Sequence, residues 1–461
     1  MRQLIDRATF YLVCLYLVSQ AYTIPLLAVS SWPVWPLLTD LVSWAMIISF
    51  VLHMRFEKQV SPENRKVWTF AVFLFTCCVL AVVGDLIFPA KALKSDPGHY
   101  LSIALYQIYR FLEFLVVFHV AANLRMTDKR YRFLQIVTMA TFFAIACGVL
   151  LTSLGVLSTS DVSRQLPDNL LEAGPWAFYS GGNVDEGVGF VGYNHGYTAI
   201  QLILAVGLAL HFGPISTNLR TIAYATLLAS TFLSGSRAGF LCALLFVLFY
   251  EGKKHLSSAN LLLVALFAFV ALFGTLHLFQ DHVVTDSILG RQMSAESSYK
   301  DNGLSGRTSI WSNTVEVLNA EPWRWITGNG FGSALDSGGD AHMLFLNVTL
   351  ETGIAGLILF VVAFARLLLF LGSRGDSGRA MFWTTLVLLV SSLTQETFYP
   401  VIAFGHFLGF YFLAIALSLN RFIAAREHVP VNTTHANFFA KRPATSPRRR
   451  PGATSNRVVE L

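Results

Sequence analysis

Charge is the first thing that this sequence lacks. Aspartate, glutamate, lysine and arginine make up only 13% of its 461 residues, whereas 54% are hydrophobic. A soluble globular protein carries about 25% charged residues, so about half of the usual charge is missing. Apolar runs of about 20 residues recur along the chain, and that length crosses a bilayer as a helix. The composition therefore excludes a large soluble protein and predicts an all-α polytopic membrane protein.

Cysteine is also scarce. The five cysteines all lie inside apolar segments and none stands in a polar loop with metal-ligand spacing, so we interpret them as small buried hydrophobic residues. The net charge of +6 gives no reason to expect a nucleic-acid partner, because the basic residues stand in short loops and in the tail.

Twelve apolar segments are candidate transmembrane helices. They cover residues 10–29, 35–54, 67–88, 100–124, 133–157, 189–212, 219–234, 237–250, 259–279, 343–371, 380–396 and 400–423. Lysine and arginine concentrate in cytoplasmic loops, and here they concentrate in every second loop. The loop at 89–99, with Lys91 and Lys94, is the exception. This alternation predicts cytoplasmic termini and one long extracytoplasmic loop, residues 280–342, between helices 9 and 10.

The chain divides into one transmembrane domain and a tail. We assign residues 1–423 to the transmembrane domain, which includes the 280–342 loop. From Ala424 the chain is polar and rich in proline, serine and arginine, a composition typical of disorder. We expect residues 424–461 to be a basic cytoplasmic tail that is attracted to anionic membrane lipid.

Eight ionisable residues stand out by their position inside the apolar segments, where charge is costly and usually faces a cavity or a partner. They are Asp40, Asp85, Arg110, Glu113, His119, Glu351, Glu396 and His406. Arg110 and Glu113 are three residues apart and share a helix face, so we predict that they pair. Asp85 lies near the outer end of its span, where its carboxylate would reach water.

Two short turns place polar residues at the predicted outer surface. FLSGSRAGF (232–240) puts Arg237 there, where topology does not require a cation. A snorkelling side chain or an anion contact would explain it, since a guanidinium binds pairs of phosphate oxygens. GFVGYNHGYTA (189–199) presents Asn194 and His195, and its glycines suit close helix packing and a bound ligand equally well.

The long loop contains a short predicted helix. Apolar residues recur at helical spacing from Ile310 to Leu318, which predicts an amphipathic helix lying over the bundle. Arg307 falls in its first turn, where a cation beside free N–H groups is favourable only if an anion lies there.

An aromatic segment and a glycine-rich run follow this helix. In PWRW (322–325), Trp323 and Trp325 flank Arg324, and such aromatics suit interfacial anchoring or sugar stacking. The run at 328–339 contains no Walker motif, and we interpret it as a mobile flap.

These residues predict one site at the outer face. Arg237, Arg307 and His342 are the candidate catalytic residues, because two guanidiniums can hold a diphosphate while a histidine accepts a proton from a hydroxyl. The outer loops contain no DxD-type carboxylate pair for Mg²⁺ and a nucleotide sugar. We therefore predict no metal and no cofactor, and a lipid-linked diphosphate donor. The candidate substrate-binding residues are Asn194, His195, Trp311, Trp323, Arg324 and Trp325.

With these residues, the chain resembles the O-antigen ligase and polymerase superfamily of bacterial envelopes. The matching segments are GFVGYNHGYTA, SGSRAGF, SGRTSIW, GNGFG and AHMLFLNVTLETGIAGLILF, in that order over 189–365. Arg237 matches the family's arginine in an S-R-G-like turn, Arg307 its loop arginine and His342 its essential loop histidine. This chain departs from the pattern at Ala238, where glycine usually follows the arginine, and at AHM, which replaces a commoner His-Asn pairing.

The resemblance implies an inverting glycosyl transfer at the outer face of the bacterial inner membrane. The donor would be a glycan on undecaprenyl diphosphate. The acceptor would be a lipid A core sugar in a ligase, or another lipid-linked repeat in a polymerase. Transfer to a protein hydroxyl also stays open, and a polysaccharide export or assembly system would supply further partners.

Two classes of protein other than a membrane glycosyltransferase fit part of the sequence. A transporter or flippase would use ionisable groups near the midplane, which Arg110, Glu113 and His119 supply. A non-catalytic assembly scaffold is the second class. Neither needs an outer loop of about 60 residues that carries arginine, tryptophan and histidine, so an enzyme is favoured.

Overall fold

The computed structural model describes residues 2–23, 37–56, 62–89, 97–153, 195–252, 307–334, 341–395, 397–398 and 406–427. Within these ranges the chain forms thirteen helices and no strand, which confirms the all-α prediction. The helices are α1 (Arg2–Ser19), α2 (Leu38–Phe56), α3 (Pro62–Ile87), α4 (Pro97–Ala122), α5 (Asp128–Ser153), α6 (His195–Phe212), α7 (Thr217–Leu233), α8 (Arg237–Gly252), α9 (Arg307–Ala320), α10 (Arg324–Thr327), α11 (Leu344–Gly372), α12 (Asp376–Ser391) and α13 (His406–Glu427).

Three helical segments among the described residues are long and apolar enough to cross a membrane: Ala104–Ala122, Asp128–Ser153 and Leu344–Gly372. Shorter apolar segments lie in α2, α3, α6 and α13. Large apolar side chains such as Leu369 (74% exposed) and Ile136 (66% exposed) face outward on the long helices, as contact with lipid requires. The count of twelve spans stays a prediction, because the segment 259–279 lies outside the described residues.

Two helices form the centre of the bundle. Every side chain of α6 from Gly196 to Phe212 is buried, and so is every side chain of α13 from Phe407 to Leu419. A helix that is apolar around its whole circumference is stable only when other helices surround it. Helices α5, α7, α8 and α12 pack on α6, and α4 packs on α13.

Contacts between helix ends establish the directions of the helices. Arg130 at the start of α5 pairs with Asp6 at the start of α1, with 2.7 Å between Nη1 and Oδ2. The amide nitrogen of Gln135, also near the start of α5, donates to the carbonyls of Ala209 and Gly213 at 3.0 and 2.8 Å. The starts of α1 and α5 and the end of α6 thus lie together.

The other end of the bundle, which we call the loop end, carries the predicted site. Ser153 Oγ donates to the carbonyl of Leu233 at 3.2 Å, which joins the ends of α5 and α7. The N–H of Leu344 donates to the carbonyl of Ser392 at 3.0 Å, which joins the start of α11 to the end of α12. Consecutive helices from α5 to α8, and the pair α11 and α12, therefore run in opposite directions.

Helix α11 is broken at Gly353, whose backbone has φ 71° and ψ 179°. A break leaves carbonyls of the preceding turn without helical donors, which is costly in a membrane unless other groups bind them. Here the N–H of Asn329 donates to the carbonyl of Leu350 at 2.7 Å, and that of Gly330 to the carbonyl of Glu351 at 3.1 Å. The long loop thus supplies the missing hydrogen bonds of a membrane helix.

This arrangement contradicts the flap prediction for the first part of the glycine-rich run. All residues from Gly328 to Ala334 are buried, and the N–H of Ala334 donates to the Glu351 carboxylate at 3.1 Å. Gly328 and Gly353 allow the backbones of the loop and of α11 to cross. A Cβ on either glycine would overlap backbone atoms of the other segment. Residues 335–340 lie outside the described residues.

Candidate functional site

Arg237 is the first residue of α8, at the loop end, and its side chain is exposed. The turn from α7 contains Gly235, with φ 78°, and Ser236. The Oγ of Ser236 accepts the N–H of Gly239 at 3.0 Å and so caps the helix. A left-handed glycine and a serine cap thus fix the position at which Arg237 leaves the hairpin.

The start of α6 lies beside this hairpin. A Cβ on Gly239 of α8 would overlap the Cβ of Ala199, and a Cβ on Gly196 would overlap the side-chain amide of Gln395. The close-packing explanation therefore holds for Gly196. Asn194 and the side chain of His195 lie outside the described residues, so their role in substrate binding stays a prediction.

Arg307 is the first residue of α9, which confirms the predicted short helix in the loop. Thr314 and Leu318 on this helix are buried, so one side of α9 lies against the rest of the protein. Trp311 stands one turn after Arg307 on the same side and is partly buried. Its indole N–H donates to the carbonyl of Ala341 at 2.8 Å.

His342 follows Ala341 and has a left-handed backbone, with φ 49°. It is the one non-glycine residue with positive φ in the part of the chain that the structure describes. Such a conformation costs on the order of 1–3 kcal/mol, and it is often found at functional sites. Ala341 is completely buried, and its N–H lies 3.5 Å from the Oδ1 of Asn347. The backbone before the histidine is therefore held by α9 and by α11.

The structure thus joins the helix that begins at Arg307 to the segment that precedes His342, and it places Arg237 at the same end of the bundle. Arg237 and Arg307 begin α8 and α9, and His342 immediately precedes the first turn of α11. Helix N-termini carry partial positive charge and free N–H groups, to which the arginines add whole charges. This end of the bundle is suited to an anionic group.

Arg324 has a different environment. Only 2% of its surface is exposed, and its guanidinium lies 3.5 Å from Asp85 and 3.5 Å from Glu321. It also donates to the carbonyls of Phe88 and Gly328. These contacts favour a structural role, in which Arg324 attaches the loop to the end of α3. Asp85 is 3% exposed and faces this arginine rather than water.

The two tryptophans beside Arg324 also differ. Trp323 is 44% exposed, and the Arg324 guanidinium carbon lies 3.9 Å from the centre of its ring. The indole N–H of Trp325 donates to Asn319 Oδ1 at 3.0 Å. Both predicted roles, interfacial anchoring and sugar stacking, therefore stay open for Trp323. The polar atom of Trp325 is instead used in a hydrogen bond within the loop.

The predicted pair of Arg110 and Glu113 is confirmed, with 3.3 Å between Nη1 and Oε2. Arg110 also binds Asp40 through both terminal nitrogens, with 3.0 Å between Nη2 and Oδ2, and donates to the Tyr106 hydroxyl. All three charged residues are buried. Arg110 and Glu113, two of the three groups that could have served a transporter, thus belong to a buried ion-pair cluster with Asp40.

A small apolar cavity of about 30 Å³, which we call the apolar groove, lies between α3, α4, α11 and α13. One wall is a row of α11 residues at four-residue spacing that begins at Val348 and ends at Phe364. Cys77, Cys78 and Phe111 are among the residues of the other walls. Val348 is one helical turn, or about 6 Å, beyond Leu344 at the start of α11, so the groove begins close to His342.

The helices and these contacts define a helical membrane protein with two arginine-bearing helix N-termini at one end of the bundle. Residues 222–361 match the family described as O-antigen ligase, a segment that contains Arg237, Arg307 and His342. This match over part of the chain supports the O-antigen ligase superfamily, as the motifs of the sequence indicated. No curated protein gives a significant match to the chain. The family indicates glycan transfer of the ligase or polymerase type, generally from lipid-linked glycans and to the lipid A core.

Among the described residues, no group of three or more histidine, cysteine or carboxylate side chains is arranged to hold a metal ion.

Proposed function

We propose that this protein transfers a glycan from undecaprenyl diphosphate to an acceptor sugar hydroxyl, in O-antigen or exopolysaccharide ligation or polymerisation. The family match supports the class of reaction. The observation that carries the site is the hydrogen bond from Trp311 to Ala341, because it joins the helix of Arg307 to the segment of His342. The reaction is metal-independent and inverts the configuration of the donor sugar.

In the proposed step, the acceptor hydroxyl oxygen attacks the anomeric carbon of the donor. The bond between this carbon and the diphosphate oxygen breaks, and undecaprenyl diphosphate leaves with the electron pair. His342 takes the hydroxyl proton. Arg237 and Arg307 stabilise the leaving diphosphate, a contribution of about 3–4 kcal/mol per donor group in other enzymes. Attack opposite the leaving group inverts the anomeric configuration.

The apolar groove supports a lipid-linked donor. A polyprenyl chain needs an apolar path in the bilayer that ends where the diphosphate must lie. The α11 wall of the groove starts at Val348, one turn below the start of the helix, and runs toward the middle of the membrane. A lipid lying along this row of α11 residues would hold its diphosphate near Arg307 and His342.

The proposed location is the bacterial inner membrane, with the loop end on the extracytoplasmic side. Both termini then lie in the cytoplasm, as twelve spans and the distribution of lysine and arginine require. The acceptor is a lipid A core sugar or a second lipid-linked glycan, and the two define a ligase and a polymerase respectively.

The test of the proposed base is His342→Ala in purified protein. A strain that lacks the gene supplies the undecaprenyl-diphosphate-linked glycan, and mass spectrometry follows release of undecaprenyl diphosphate in the presence of acceptor. We expect the rate to fall by at least about 100-fold, since general acid–base catalysis contributes about 10²–10⁴-fold. His119→Ala is the matched control, because this histidine lies at the opposite end, against Phe50. A wild-type rate in His342→Ala would show that the base is wrong.

The deletion strain also separates the two acceptors. Long lipid-linked polymer that accumulates unattached identifies a ligase, whereas an accumulation of single lipid-linked repeats identifies a polymerase. Normal attached polymer in the deletion strain would contradict both.

A further inference from the structure

The backbone immediately before His342 is bound by side chains on both of its polar groups. The carbonyl of Ala341 accepts the indole N–H of Trp311 at 2.8 Å, and its N–H lies 3.5 Å from Asn347 Oδ1. Ala341 is 0% exposed, so water does not compete for either group. Neither side chain was expected to act on the histidine, since Trp311 was predicted to contact substrate.

The contacts of Trp311 and Asn347 with Ala341, which we call the clamp, hold the backbone just before the unusual conformation of His342. A left-handed backbone is unfavourable for a residue with a Cβ and persists only where the surroundings impose it. The φ of 49° at His342 follows directly after the clamped peptide. On its other side, Leu344 is bound to Ser392 of α12 at 3.0 Å. The histidine therefore stands between two fixed points.

We propose that Trp311 is a positioning residue: it fixes the Ala341 carbonyl and so directs the His342 imidazole toward the acceptor hydroxyl. This inference rests on the proposed function, because it assigns Trp311 a role through His342. It replaces a direct sugar contact, since the polar atom of the indole is already engaged by the backbone. Asn347 completes the clamp from the first turn of α11.

The same geometry couples the donor to the base. Arg307 and Trp311 are four residues apart on one short helix, so they lie on the same side of α9. A diphosphate bound at Arg307 holds α9 in the position from which Trp311 reaches Ala341. The donor contact and the placement of the base thus depend on the same short helix. Removing the indole N–H leaves Arg307 itself unchanged, so we expect the main loss in the chemical step.

The experiment is Trp311→Phe, which keeps an aromatic ring and removes the N–H. We expect kcat to fall by roughly 10- to 100-fold, as for other losses of positioning, while KM for the undecaprenyl-diphosphate-linked glycan changes by less than about 2-fold. Trp44→Phe is the matched control, because it removes an indole N–H that donates to the Tyr109 hydroxyl on α4, away from the clamp. Its kcat stays at the wild-type value.

A double-mutant cycle separates positioning from direct contact. If Trp311 acts through His342, Trp311→Phe causes no further loss in the His342→Ala background, measured in long incubations. A further loss of the same size, or an increased KM with normal kcat, shows that Trp311 contacts substrate and overturns the proposal. A wild-type kcat in Trp311→Phe overturns it too.

The outcomes also distinguish failure of the proposed clamp from failure of the proposed base. A wild-type kcat in Trp311→Phe together with an inactive His342→Ala removes only the clamp and leaves the proposed base in place. A fully active His342→Ala removes both. If Trp311→Phe does not fold, Trp311→benzothienylalanine keeps the shape of the indole and replaces its N–H by sulfur, and the same kcat loss is expected.

Discussion

Arg237 and Arg324 stand at the same end of the molecule in opposite environments. Arg324 is enclosed by two carboxylates and two carbonyls, whereas Arg237 is exposed on the first turn of α8. A guanidinium that is already satisfied stabilises the fold, and an exposed one at a helix N-terminus can contact a ligand. The two arginines therefore predict different mutant phenotypes.

At position 237 the positive charge is the quantity to test. Arg237→Lys keeps the charge, and we expect its rate of undecaprenyl diphosphate release to stay within about 10-fold of wild type. Arg237→Gln keeps a polar side chain without charge, and its rate should fall about 100-fold or more. Arg220→Gln is the control, because Arg220 pairs with Glu251 at the opposite end. Equal rates for the two Arg237 variants would show that charge is not what this residue supplies.

At position 324 the expected loss is stability. Arg324→Met removes the partner of the buried Asp85, and an uncompensated buried charge costs about 3–5 kcal/mol. The thermal unfolding midpoint in detergent should fall, and the double variant Arg324→Met with Asp85→Asn should recover part of it. If Arg324→Met instead kept the wild-type midpoint and raised KM for the donor, the substrate contact predicted from the sequence would be correct.

Some of these residues could be found from the sequence and others could not. Helical spacing and the start of an apolar segment were enough to put Arg307 at a helix N-terminus and His342 before α11. The distant partners of Arg110 and Arg324 were not predictable, because Asp40 is 70 residues from Arg110 and Asp85 is 239 residues from Arg324. Spacing rules report neighbours on one helix only, so the nearby Glu113 was identified as a partner and Asp40 was not.

At the scale of elements, the crossing of Gly328 and Gly353 is the contact that attaches the loop to α11. Gly328→Ala should lower the unfolding midpoint strongly, because its Cβ would overlap the backbone of Glu351 and its φ is 77°. Overpacking costs about 1–3 kcal/mol and left-handed strain adds to it. Gly375→Ala is the matched control: its φ is 58°, and a Cβ there meets nothing within 4 Å. Equal losses in the two variants would mean that strain alone, and not the crossing, is responsible.

The crossing with α11 explains why the flap interpretation was wrong for residues 328–334. A glycine-rich run is the composition of a mobile segment and also that of a backbone that must approach another backbone closely. Deciding between them requires the second backbone, here the broken turn of α11. Nothing in the local pattern of residues 328–334 indicates that the carbonyls of Leu350 and Glu351 lack donors within their own helix.

At the scale of the whole molecule, the alternation of helix directions makes a prediction about sidedness. Ser309→Cys lies on an exposed position of α9, and Ser373→Cys lies after α11 at the opposite end. A membrane-impermeant thiol reagent should label Ser309→Cys in intact spheroplasts and Ser373→Cys only after permeabilisation. Unsubstituted protein gives the background from the native cysteines. Labelling of both positions in intact spheroplasts would contradict the proposed topology.

The apolar pattern was sufficient for the class of fold because it reflects the solvent, and a bilayer imposes the same pattern on every helix. It was not sufficient for the packing order, since α6 and α13 are as apolar as helices that face lipid. Their central position appears only in the burial of their whole circumference.

The broken helix also has a consequence for biosynthesis. Residues 328–330 leave the ribosome before Leu350 and Glu351, so the donors of these hydrogen bonds are made before their acceptors. Until the loop has been translocated and docked, α11 would present two bare carbonyls to the lipid, which a membrane does not tolerate. Translocation of the loop and integration of α11 are therefore one assembly step. A chain whose loop is delayed should be retained by the insertion machinery at this helix, with the nine predicted spans that precede it already in place.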